Sequence, residues 1–144
     1  MLLSGVLTAS RRSFPNKVKG DIRSMYPRSE ILFPHSCTRR LRNLLDKPWA
    51  ELIDRVLQAD EASEISLAFS LMMIHLCGCL NCDMGSYKAS LGCAVCSQRA
   101  VATARGNSKL LLKRFEKARQ QVRHYLETGT VDWTDDWSEE PLVA

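Results

Sequence analysis

Cys77-x-Cys79-x2-Cys82 and, after a ten-residue gap, Cys93-x2-Cys96 place five of the chain's six cysteines within twenty residues. One phrase repeats: Gly78-Cys79-Leu80-Asn81-Cys82 recurs fourteen residues on as Gly92-Cys93-Ala94-Val95-Cys96. Two sulfurs three positions apart on a turn or helix start point the same way, and two such pairs bring four thiolates around one ion. Backbone N–H groups at those places also stabilise thiolate charge. Packing alone gives no reason to gather thiols. A solitary cysteine is usually a small buried hydrophobe, and that reading suits Cys37.

The simplest ligand set is Cys79, Cys82, Cys93 and Cys96, with Cys77 as a fifth thiol and His75 as a further donor nearby. Zinc is the first expectation for such a set. An iron–sulfur cluster, which needs the same four thiolates and tolerates helical surroundings, is the alternative. The surroundings are not those of a zinc knuckle: glycine precedes the first cysteine of each pair, and Asp83 and Ser97 follow the second. His75 lies on an apolar stretch, where a histidine is more often a hydrogen-bonded core residue; His35 and His124 offer less. A closed four-cysteine site is structural, because hydrolytic zinc keeps an open position. No Gly-rich phosphate loop, Ser-His-Asp set or His-Glu zinc motif occurs. Catalysis would therefore need a redox centre, as in a thiol- or iron–sulfur-based oxidoreductase.

Within residues 64–92, Glu64 heads an apolar helix that leads to Cys79-x2-Cys82, with a further helical stretch beyond. In this arrangement the segment resembles the alkylhydroperoxidase/carboxymuconolactone decarboxylase family. The resemblance implies a reactive dithiol at Cys79 and Cys82, assisted in that family by a histidine four residues after the second cysteine. Ser86 stands at that place here, Glu64 is farther from the cysteines than in the family, and the second Cys-x2-Cys is foreign to it.

Arg99, Arg105, Lys109, Lys113, Lys117 and Arg123, joined by the Arg39-Arg40-Leu41-Arg42 run, could face phosphates, with binding that weakens steeply in salt. A solvated helix face is the plainer expectation. No aromatic platform is interleaved with these bases, so a protein partner is expected ahead of nucleic acid.

Helices must position these residues. Asp46 ahead of Pro48 is a cap and first-turn pair, and Trp49, Leu52, Ile53, Val56 and Leu57 follow with helical spacing as far as Asp60. Ser63 caps the next helix, with Glu64 in its first turn. Residues 65–76 are nearly all apolar but fall short of the ~20 needed to span a bilayer; they should form the buried central helix that delivers the chain to Cys77. Gly85 breaks the chain, Ser86 to Leu91 forms a short helical turn stopped by Gly92, and Cys93 to Arg105 is helical, ended by Gly106-Asn107. Ser108 should cap a long helix through Glu127, closed by Gly129, with Leu111, Leu112, Phe115, Ala118, Val122 and Leu126 on its apolar face. No strand signal competes.

Charge is distributed in blocks. Residues 1–42 carry nine Arg or Lys against two acids, residues 97–124 eight against one, and the last twenty hold six acids and no base. The blocks suggest two basic surfaces and an acidic tail that serve partners or one another. Two close-set Cys-x2-Cys pairs among six cysteines fit metal or redox chemistry in a reducing intracellular compartment, the cytoplasm first. The basic, serine-bearing stretch before Asp21 suits organellar import, or a start at Met25, or a basic arm. The expectation is an all-α domain of four to five helices over residues 43–128, tied by a four-cysteine site. A mostly irregular basic arm (1–42) would precede it and an acidic tail (129–144) follow. The chain would be an interaction module with structural zinc and no membrane span.

Overall fold

Short polar side chains that accept hydrogen bonds from their own first turn set the helix starts in this chain. Asp46 accepts from the Trp49 N–H at 3.4 Å and opens α1 (Lys47–Gln58), with Pro48 in its first turn. Ser63 accepts from the Ser66 N–H at 3.3 Å and opens α2 (Glu64–Cys77). Ser86 does the same for α3 (Tyr87–Leu91), accepting from Ala89 at 3.2 Å. Helices α4 (Cys93–Thr103) and α5 (Ser108–Thr128) follow. The computed structural model describes residues 30–83, 85–104 and 107–131; among these the chain has five α-helices, 3-10 turns at His35–Leu41 and Cys79–Asn81, and no strand. This is the all-α architecture expected. No described helix is long and apolar enough to cross a membrane.

The near-continuous apolar run of α2 makes it the central element, with Ala68, Phe69, Met72 and Met73 fully buried. Helix α1 lays Trp49, Leu52, Ile53 and Val56 against it, and α5 adds Leu111, Phe115 and Ala118. Phe69 is flanked by Phe33, edge-on at 6.1 Å, and by Trp49 at 5.9 Å. Such pairs add about 0.5–1.5 kcal/mol beyond their area. The Trp49 Nε1–H donates to the Leu41 carbonyl at 2.8 Å, tying the first 3-10 turn to α1. Phe33, Thr38 and Leu41 are all buried, so packing begins ahead of residue 43, where the helical domain was expected to start. The expected irregular arm holds, within residues 30–42, a packed 3-10 turn; residues 1–29 lie outside the described part.

Glu64, at the head of α2, meets Arg119 and Arg123 in the second half of α5, so the two helices run antiparallel and α5 extends past the start of α2. That overhang explains a difference from the sequence expectation: Leu126, assigned to the apolar face, is 57% exposed, and Tyr125 beside it is 50% exposed. The start of α5 also differs. Asn107 takes the cap position without a side-chain hydrogen bond, while Ser108 is the first helical residue and its hydroxyl donates to Asp46 instead.

Candidate metal centre

Both cysteine pairs are launched by a glycine that an L side chain would strain. Gly78 (φ +67°) ends α2 in the left-handed region, and Gly92 (φ +90°) lies between α3 and α4. After Gly78 the first pair occupies one tight turn, with the Cys82 N–H bonded to the Cys79 carbonyl at 3.1 Å. After Gly92 the second pair occupies the first turn of α4, with the Cys96 N–H bonded to the Gly92 carbonyl at 3.0 Å. The glycine before each pair, foreign to a zinc knuckle, is thus the residue that stops one helix and aims the next thiols.

Cys77, Cys79, Cys82, Cys93 and Cys96 line one cavity together with Lys88 and the backbone around Glu30. Its volume is about 20 Å³, room for a single water-sized occupant. All six thiols are free. Among the described residues, no three His, Cys, Asp or Glu side chains are already drawn into a metal-holding arrangement. The sulfurs share a cavity wall rather than a finished tetrahedron.

The electrostatics show how closely the thiols interact. The Cys77 S–H donates to Cys79, and this bond, with burial, holds Cys77 protonated far above the usual thiol range. The same bond is the main cause that lowers Cys79 to about 6; burial opposes it, while the Phe33 N–H and the Lys88 ammonium assist. Cys93 is pushed up by burial and by the charges of Cys79, Cys96 and Cys82, against a hydrogen bond from the Glu30 N–H at 3.1 Å. Cys37 is raised by burial first and then by Cys93, which puts the sixth thiol within electrostatic range of the group. Thiolates that raise one another's pKa are relieved by a cation among them.

Four of the expected ligands, Cys79, Cys82, Cys93 and Cys96, and the fifth thiol Cys77 therefore meet at one place. His75, in the last turn of α2, is not among the residues lining the cavity. The sequence reading missed Glu30 and Phe33, whose backbone N–H groups reach Cys93 and Cys79 across more than forty residues of chain; a backbone donor has no side-chain signature. It also missed Lys88, which donates to the Cys77 carbonyl. Lys88 had a signal, as the only cation between Cys77 and Cys96.

The basic residues expected to act together divide into several settings. Arg99 is on α4 beside Cys96, Tyr87 and Lys88. Arg123 is engaged with Glu64 at 2.9 Å, as is Arg119 at 2.7 Å. Arg42 makes a two-pronged bond to Asp54, at 2.6 and 2.9 Å. Lys109, Lys113 and Lys117 line one groove on α5 with Leu112, and Arg105 lies outside the described residues. The chain matches no known protein family, no curated protein and no solved structure.

Proposed function

We propose that this chain is a metal-stabilised helical interaction module in which Cys79, Cys82, Cys93 and Cys96 hold one structural zinc ion. The observation that carries the reading is the convergence of both Cys-x2-Cys turns on a single cavity with room for one ion. Four thiolates are a closed, soft donor set, which suits structural zinc. Cys77, buried and protonated, stays outside the ligand set as a hydrogen-bond donor to Cys79. Such a site would couple α2, the turn after it and α4, so that binding energy becomes folding energy. Free thiols in this number fit a reducing compartment, and the exposed face of α5 offers the contact surface for a protein partner.

The test is metal analysis of anaerobically purified protein, followed by chelation. One equivalent of zinc, a colourless protein and a large fall in melting temperature with chelator are expected. An apo protein with unchanged melting temperature and helix content would overturn the structural role.

One observation favours a second reading, a redox dithiol. Cys79 is held as a thiolate near neutral pH next to a protonated Cys77, the pattern of an attacking thiol and its partner. Protein free of zinc and iron whose Cys79 is alkylated rapidly at pH 7 would select it; brown protein with iron and labile sulfide would select the cluster.

A further inference from the structure

The groove on the outer face of α5 carries net positive charge, with Lys109 and Lys113 exposed and Lys117 beside them against one acid, Glu116, and it is also lined by Leu112. The overhanging end of the same helix leaves Tyr125 and Leu126 uncovered, and Val131 just beyond is 47% exposed. Helix α5 stops at Gly129 (φ +70°), whose N–H bonds to the Tyr125 carbonyl at 2.7 Å. A left-handed cap of this kind ends the helix and redirects the chain. The residues that follow have the opposite character: Asp132, Asp135, Asp136, Glu139 and Glu140 with no base, and two tryptophans, Trp133 and Trp137.

The lengths agree. Counting back from Gly129 at ~1.5 Å per helical residue, Gln120 lies ~13 Å away, Lys117 ~18 Å, Lys113 ~24 Å, Leu112 ~25 Å and Lys109 ~30 Å. Counting forward at ~3.3 Å per extended residue, Trp133 reaches ~13 Å, Asp135 and Asp136 ~20–23 Å, Trp137 ~26 Å and Glu139 and Glu140 ~33–36 Å. A chain doubling back along α5 therefore sets acids opposite Lys117 and Lys113, Trp137 opposite Leu112 and the last acids opposite Lys109. Each of the three lysines has a tail acid within reach, and Glu116, ~20 Å back, is the one lining residue that shares the tail's sign.

We propose that residues 132–144 bind back along the outer face of α5 in the same molecule, as an acidic, tryptophan-anchored pseudo-ligand. The groove is then a site for an extended acidic segment carrying aromatic anchors, and a partner of that chemistry must displace the tail. Tethering gives the tail an effective concentration on the order of millimolar, enough to fill the groove even if its own contacts are weak. The inference does not depend on the metal reading.

The test uses a fluorescently labelled peptide of residues 132–144, the full chain, and a chain ending at Val131. At low salt the shortened chain should bind the peptide at least tenfold more tightly than the full chain does. Binding should weaken as salt rises, and Lys113→Glu in the shortened chain should reduce it. Pairing Lys113→Glu with a peptide carrying Asp135→Lys and Asp136→Lys should restore binding. Equal affinity of full and shortened chains, or no binding to a folded shortened chain, would overturn the proposal. So would a full chain that sediments as a dimer, because the tail of a second copy would then be the occupant. A single-stranded oligonucleotide that binds the full and shortened chains equally well would also overturn it, and would give the face to nucleic acid.

Discussion

The Ser108 hydroxyl donates to the Asp46 carboxylate, sixty-two residues away, while the other oxygen of that carboxylate caps α1 through the Trp49 N–H. One side chain thus starts one helix and anchors the first turn of another. Asp46→Ala should cost about 1–2 kcal/mol for the lost cap, with a further loss from the freed Ser108 hydroxyl. Ser108→Ala should cost less, and in the double variant the two losses should not add, since both remove the same contact. Denaturation midpoints of the three variants measure this.

Thr38 is fully buried, and its hydroxyl has no hydrogen-bond partner among the described residues. Leaving such a group dry costs about 1–3 kcal/mol, and a similar-sized apolar replacement relieves it. Thr38→Val should therefore stabilise the fold by about 1 kcal/mol, read as a higher urea midpoint with unchanged slope. A lower midpoint would mean that the hydroxyl has a partner.

Glu64 is held below its ordinary pKa by hydrogen bonds from Arg123 and then Arg119. A carboxylate with a lowered folded-state pKa contributes stability that is complete above its unfolded value of ~4.3 and disappears as pH falls through the folded value. Melting temperature should fall in that acid window, and Glu64→Gln should be less stable at neutral pH but lose less on acidification. Parallel curves for the two proteins would remove Glu64 from the acid response.

Single serine substitutions at Cys79, Cys82, Cys93 and Cys96 should each abolish stoichiometric zinc, whereas Cys37→Ser should leave it intact. Cys77→Ala should also retain zinc, because its thiol is a donor to Cys79. A chain beginning at residue 32 removes the Glu30 N–H from Cys93 and keeps the Phe33 amide, and loss of such a supporting bond weakens metal affinity about 10–100-fold. Competition with a chromogenic chelator reads all these variants on one scale.

Local signals carried most of the fold. Asp46, Ser63 and Ser86 act within three residues of themselves, so the starts of α1, α2 and α3 were legible. Ser108 misled because a tertiary acceptor, Asp46, claimed its hydroxyl. Leu126 misled because periodicity marks a helix face without revealing where the neighbouring helix begins. The cysteine pairs were legible by spacing and do share a cavity. The contribution of Glu30 and Phe33 was not, since the donors they offer are backbone groups. Likewise, Arg119 and Arg123 appear as free bases in one dimension and meet Glu64 only in three.

Gly78 separates Cys77 from Cys79, and its left-handed backbone ends α2 at the first of the clustered cysteines. In an unbroken helix these two thiols would point about 160° apart, since each residue turns the chain by ~100°. The break turns them toward each other, close enough for one to donate to the other. A residue with no side chain therefore governs both where the Cys79 pair is aimed and whether Cys77 can support it. The most economical way to disable this centre leaves every cysteine in place: Gly78→Val would preserve the full complement of thiols and scatter them. A search for the centre in other sequences should then weigh the glycine before each pair as heavily as the cysteines themselves.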